Sequence, residues 1–290
     1  MASLGGATQW AKGKRMSTDV TGTAIDFEAI KAKQRAGWET GDYPRVGNTL
    51  QIIAELLVEA ADVRAGQTVL DVACGQGNVA LAAARRFADA TGVDYAVNLL
   101  AQGRERAAAE HLPVTFLEGD AEKLPVPDAA FDLVASTVGV MFAPDHQQAA
   151  DELVRVTKPG GKIALASWTP EGMIGDLFRT VGKWAPPPAG VQPATLWGNE
   201  EHLSRLFGDR VEWVGLTKRS YVFRYHSPEH FSEWFRQHYG PITRLAGTLP
   251  DQELVAFAAD LAEVPRGHNQ ADDGTVAAHA EYLEAVGIRR

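Results

Sequence analysis

Two carboxylates bracket a glycine turn in the first half of the chain. The segment Thr68-Val-Leu-Asp-Val-Ala-Cys-Gly-Gln-Gly-Asn78 places Asp71 at the end of an apolar run and glycines at 75 and 77. The next apolar run, Ala90-Thr-Gly-Val93, ends in Asp94. A strand, a glycine turn, a helix and a second strand ending in a carboxylate form the minimal unit for holding a nucleoside. Glycine lets the backbone approach a ligand, and the carboxylate can take both ribose hydroxyls.

Composition narrows what such a unit serves. The 290 residues are 45% hydrophobic and 22% charged, enough for a large core. A formal net charge of -9 repels phosphate backbones, so no nucleic-acid partner is expected. The one cysteine, Cys74, excludes an intrachain disulfide and a multi-thiolate metal site. No metal is expected, and a reducing cytoplasm fits. No apolar run approaches the length of a membrane span, so no membrane partner is expected either. Lys12, Lys14 and Arg15 are not followed by the apolar stretch of a secretory signal. Met16 reads as a second start, and residues 1–23 are expected to be a disordered tail.

The elements that must position these carboxylates follow from periodicity. Residues 24–37 read as a helix, broken by Trp38-Glu-Thr-Gly-Asp-Tyr-Pro44, and 46–62 carry helical apolar spacing. Strands are expected at 68–73, 90–94, 113–118, 131–135 and 162–168, separated by helices over 77–87, 96–109 and 145–156. Strands alternating with helices of this length imply a parallel sheet. Beyond Trp168 the pattern changes. Residues 169–197 are rich in Gly and Pro and read as an irregular substrate lid. Asn199 caps a helix over 200–207. Residues 211–217 and 219–225 alternate as a hairpin, and 228–288 read as mostly helical. The domain reading is a catalytic unit over 24–225 with a C-terminal helical extension over 226–290 packed on the same domain.

Five ordered segments carry a resemblance: Val69-Leu-Asp-Val-Ala-Cys-Gly-Gln-Gly77, Gly92-Val-Asp94, Gly119-Asp-Ala-Glu-Lys-Leu-Pro-Val-Pro127, Phe131-Asp-Leu-Val134 and Arg155-Val-Thr-Lys-Pro-Gly-Gly161. Over residues 38–168 the chain resembles the class I S-adenosylmethionine-dependent methyltransferases. It is most similar to the type 11 group that includes ubiquinone and menaquinone biosynthesis methyltransferases. The resemblance implies an α/β, Rossmann-like, seven-stranded and mostly parallel sheet with an antiparallel final hairpin, a helical N-terminal cap, and S-adenosyl-L-methionine as cofactor. By the same resemblance, Asp71 and the Ala73–Gly77 backbone, Gln76 included, face the methionyl part. Asp94 takes the ribose hydroxyls. Asp120 and the Ala121 amide read the adenine, Tyr95 packs on it, and Thr137 touches the cofactor. Tyr43 and Arg45 of the cap reach the methionine carboxylate, for which Arg suits bidentate contact. Each residue also has a plainer reading: Asp71 as a helix cap, Asp94 and Asp120 as turn residues, Tyr95 as core, Thr137 as loop, and the 38–45 segment as surface.

Gly75-Gln-Gly-Asn-Val-Ala80 also satisfies a dinucleotide fingerprint, which leaves an NAD(P)-dependent oxidoreductase as the alternative, beside a non-catalytic binder of the methyl donor. Asp71 before the turn and the absence of a Tyr-x-x-x-Lys pair argue against the oxidoreductase. Among methyl acceptors, Ser136-Thr-Val-Gly139 lacks the polar-Pro-Pro-aromatic motif of amino-methylating DNA enzymes, and no Pro-Cys nucleophile exists. A small molecule is the expected acceptor, through O, N or C. No catalytic residue is assigned. His146, His226, His238 and Glu171 are the base candidates for a hydroxyl acceptor. Selection of the acceptor is expected in 169–197, the 138–146 loop, the cap and the C-terminal helices, with Trp168, Met173, Phe178, Trp184, Trp197, Trp234, Phe235 and Tyr239 as the apolar supply.

Overall fold

Val69, Leu70 and Val72 are wholly buried, as in a strand covered on both faces. In the computed structural model, which describes residues 25–290, they form the centre of a seven-stranded sheet. Strands β1 (Thr68–Val72), β2 (Asp89–Asp94), β3 (Val114–Glu118), β4 (Phe131–Thr137) and β5 (Thr157–Trp168) are parallel. Strand β7 (Val276–Arg289) runs antiparallel between β5 and β6 (Val211–Tyr225), giving the order β3-β2-β1-β4-β5-β7-β6. Helices α4 (Asn78–Ala84), α5 (Val97–Ala109) and α6 (His146–Val156) are among the crossovers between the parallel strands. Helices α1 (Phe27–Trp38), α2 (Tyr43–Thr49) and α3 (Gln51–Ala60) precede the sheet. Helices α7 (Met173–Trp184) and α8 (Glu200–Phe207) lie between β5 and β6, and α9 (Pro228–His238), α10 (Gly240–Ala246) and α11 (Asp251–Arg266) between β6 and β7.

Helix starts follow capping chemistry. Asp26, Asp145, Asn199 and Ser227 each accept a backbone N–H three residues on, satisfying first-turn donors. Asn199 and the 200–207 helix are as the sequence predicts.

Three expectations are corrected. The alternating runs at 211–217 and 219–225 are one strand, β6, with a register shift between Trp213 and Gly215 and no turn. The hairpin partner is β7, within the stretch read as helical. Alanine and glutamate in that stretch favour helix locally, but hydrogen bonding on both edges and inward Val276, Ala278, Ala280 and Tyr282 override propensity. Residues 226–290 are therefore not a purely helical extension, since they supply an inner strand of the sheet. Finally, 169–197 contains a regular helix, α7, that buries Met173, Ile174 and Leu177; the irregular parts are the short 169–172 link and the mostly exposed 185–193 stretch. The expectation for residues 1–23 lies outside the described residues. Among the described residues no helix is long and apolar enough to cross a membrane.

Candidate active site

The carboxyl ends of β1, β2 and β4 and the loops after them converge on one cleft of about 840 Å³, including its open mouth. Open α/β sheets bind ligands at this edge. The loop after β1 is held in left-handed backbone: Ala73 at φ 52°, Gly75 at 54° and Gly77 at 82°. At Gly75 the cleft gives the reason, since a Cβ there meets only Tyr43 and Leu99 at ordinary contact distance. Gly77 has a different one. A Cβ on it would sit 2.7 Å from the Phe116 ring, so Gly77 serves core packing and lies outside the cleft lining. The sequence-based expectation that it clears the ligand is corrected.

Asp71 is buried, and its Oδ2 accepts the Ala80 N–H at 3.0 Å, capping the start of α4 while lining the cleft. Burial pushes its carboxyl up to about 7, against the Ala80 hydrogen bond and with help from the Asp94 charge. Asp94 ties two segments together: Oδ2 accepts from Gly75 N–H and Oδ1 from Ala96 N–H, both at 2.8 Å. Burial raises its carboxyl too, although these N–H groups oppose it. Asp120 is engaged on both oxygens, by Lys31 Nζ at 2.6 Å and by the Glu122 N–H at 2.9 Å. Lys31 also pairs with Glu28 and buried Glu122. Burial opposes its charge, but these partners hold its pKa above the ordinary lysine value. Arg155 fixes the 124–128 loop from below, donating to the Leu124 and Val126 carbonyls and to Glu152 and Asp128.

Of the sequence-predicted residues, Tyr43, Asp71, Ala73, Gly75, Gln76, Asp94, Tyr95, Asp120, Ala121 and Thr137 line the cleft together. Gln76 is buried and donates to the Pro44 carbonyl and Asn48, joining the glycine loop to α2. The Thr137 hydroxyl is buried with no hydrogen-bond partner among the described residues. Arg45 is corrected: its side chain is exposed, pairs with Asp42 at the start of its own helix, and does not line the cleft.

Lys31, Trp38 and Phe142 line it without having been read from the sequence. Lys31 meets Asp120 across 89 residues, and no local signal announces that pair. Trp38 stood in the cap segment and packs edge-on to Tyr43, Phe142 and Tyr239. The base candidates lie elsewhere. His146 is buried on Trp197 and shares a 2.9 Å hydrogen bond with His202. His226 and Glu171 are exposed, and His238 lines no cavity described here.

The arrangement discriminates between ligands. In dinucleotide sites the first helix offers its N-terminal N–H groups to a pyrophosphate. Here the Asp71 carboxylate already occupies that end of α4. Three carboxylates and one lysine line the cleft, and that lysine is paired. The field favours a ligand carrying positive charge and opposes a polyanion.

Comparison with known proteins agrees. Residues 70–165 match the family model described as Methyltransferase domain. An uncharacterized protein of Mycobacterium tuberculosis is 36% identical over 273 residues, covering 92% of this chain and 98% of the relative. A demethylmenaquinone methyltransferase of Thermus thermophilus is 39% identical over 126 residues, 42% of this chain and 57% of that protein. The crystal structure of a putative methyltransferase from Bacillus halodurans superposes with a TM-score of 0.59 at 20% identity, covering 81% of this chain and 97% of that one, a likeness of fold.

Proposed function

The chain belongs to the class I S-adenosylmethionine-dependent methyltransferases, type 11 group, and from that premise we propose that it methylates a small-molecule acceptor in the cytoplasm. The observation that carries the cofactor side is the Asp71 carboxylate seated on the N-terminus of α4, where a pyrophosphate would have to lie. The Thr137 hydroxyl, without a hydrogen-bond partner among the described residues, and the acidic lining fit a cationic nucleoside.

In this reading Asp94 takes the ribose hydroxyls with its remaining lone pairs. Asp120 and the Ala121 amide read the adenine, with Tyr95 against its face. Asp71, Gln76 and the 73–75 backbone hold the methionyl part, and Tyr43 and Thr137 close on it. When bound, S-adenosylmethionine supplies an electrophilic methyl carbon: the acceptor's electron pair forms the new bond while the methyl–sulfur pair returns to sulfur, leaving a neutral thioether. The protein's work is alignment and exclusion of water. Trp38, Tyr43 and Phe142 are suited to that work, as an aromatic wall over the cleft. The net charge of -9 supports a small acceptor over nucleic acid. Cys74, unpaired, needs no oxidising compartment.

Calorimetric titration tests the cofactor reading. S-adenosylmethionine and S-adenosylhomocysteine should bind and raise Tm, and NAD should do neither. Stabilisation by NAD with none by S-adenosylhomocysteine overturns it.

A further inference from the structure

Among the described residues, Lys31 is the one cation lining the cleft, and it comes from α1, ahead of the sheet. An ammonium has three N–H donors and no acceptor. Three carboxylates surround this one: Asp120 at 2.6 Å, Glu28 at 2.9 Å and Glu122 at 3.1 Å. With a carboxylate for each donor, Lys31 has none left for a ligand, so it acts in the cleft through these partners. Glu28 is exposed. Glu122 is buried and fixed from its other side, accepting the Asp145 N–H at 2.7 Å where α6 begins. Asp120 is the partner that also lines the cleft.

Asp120 is held on both oxygens. Oδ2 faces Lys31, and Oδ1 accepts the Glu122 N–H at 2.9 Å. An ionised carboxylate offers about four lone-pair sites, so about two remain for a ligand. The two contacts keep the group from turning about its bond. The ammonium also favours the charged form, because a proton on Asp120 would cost a half-buried cation its shortest pairing. Held in this way, Asp120 accepts hydrogen bonds and donates none. Such a group separates two purines of nearly equal size. A 6-amino purine gives it an N–H. A 6-oxo purine presents a carbonyl oxygen in the same place, and the two acceptors repel. A carboxyl group free to take a proton would tolerate both, donating its O–H to the carbonyl.

We propose that Lys31 is a positioning residue that makes the cleft specific for a 6-amino purine, by holding Asp120 ionised and aligned. The inference rests on the assignment of Asp120 to the adenine in the methyltransferase reading above. A plainer role for Lys31 is to dock α1, whose one buried residue is Gly37. Arg35, on the same helix, serves docking without touching the cleft: it pairs with Glu118 at the end of β3, at 3.1 Å, and is not part of the lining. The two cations therefore allow docking and base selection to be measured apart.

The test titrates the intact protein at pH 7 with S-adenosylhomocysteine and with S-inosylhomocysteine, its 6-oxo counterpart. The wild type should prefer the 6-amino ligand by at least about 100-fold, as a site built to hydrogen-bond one group rejects its replacement. Lys31→Met should reduce that preference at least about tenfold, the scale of one charge-assisted hydrogen bond. Lys31→Gln, which removes the charge and keeps a donor, should shift it in the same direction. Lys31→Arg should keep most of it, and Arg35→Met should leave it within about twofold, since exposed ion pairs contribute little. A lysine that only docks α1 would weaken both ligands together, and an unchanged ratio in Lys31→Met and Lys31→Gln would overturn the proposal. So would equal binding of the two ligands by the wild type, or a ratio that falls as far in Arg35→Met as in Lys31→Met. Failure of S-adenosylhomocysteine to bind the wild-type protein, measured first and alone, would instead overturn the methyltransferase reading.

Discussion

The position of Asp71 makes cofactor affinity depend on pH in a defined direction. Burial holds its carboxyl at about 7, so the free protein carries a proton there below neutrality. S-adenosylmethionine brings a sulfonium and an ammonium and favours the ionised carboxylate. Binding therefore expels the proton, and affinity rises with pH. If only the ionised form binds, the apparent Kd is multiplied by about 11 at pH 6 and by about 1.1 at pH 8, a tenfold change worth about 1.4 kcal/mol. Asp94 faces the same cleft and is raised as well, so the observed midpoint belongs to the pair. The ligand's own amino group titrates near ~8, and the comparison with Asp71→Asn separates the two, because Asn retains an acceptor for the Ala80 N–H and lacks the proton. Titration calorimetry from pH 6 to 8 should show the slope in the wild type and its loss in the variant. Equal slopes in both proteins, or affinity that falls as pH rises, would refute the reasoning.

Asp94→Ala should weaken cofactor binding by about 1.5–3 kcal/mol, the scale of a lost hydrogen bond to a charged group. It should also lower the urea midpoint, because the same carboxylate accepts the Gly75 and Ala96 N–H groups; the sequence alone points to an unchanged fold. Gly77→Ala should destabilise by about 1–3 kcal/mol through overpacking onto Phe116, visible as a lower Tm before any ligand is added. His146 is held neutral, pushed down to about 3 by burial and then by His202. Its contribution is complete above the ordinary histidine pKa of 6.5 and declines as pH falls, by about 2 kcal/mol at pH 5. Asp71 shifts stability in the opposite sense, so the measurement is the pH dependence of wild type minus His146→Gln. Methyl transfer should survive excess EDTA, since among the described residues no cluster of His, Cys, Asp and Glu can hold a metal.

What was legible in the sequence was local. The strand, the glycine turn and the carboxylates at strand ends lie within short windows, where apolar period and turn residues carry the signal. What was not legible depends on residues far apart or on competition between local and tertiary preference. Strand β7 reads as helix until β5 and β6 are seen on either side of it. The glycines at 75 and 77 look alike in sequence, yet one faces a ligand cleft and the other a phenylalanine ring. Arg45 has the right chemistry for a carboxylate and finds one at Asp42, just before its own helix, rather than in the site.

The same distinction governs which half of the reaction the sequence could describe. The cofactor half is written in carboxylates at strand ends, and Asp71, Asp94, Asp120 and Lys31 each have a partner in the cleft. Trp168, Phe178, Phe223 and Tyr239 come from distant parts of the chain and meet only in the folded protein. Aromatic residues scattered along a sequence read as core, and most of them are. Charged groups in short windows are therefore readable from the sequence, and the aromatic packing beside them is readable only from the fold.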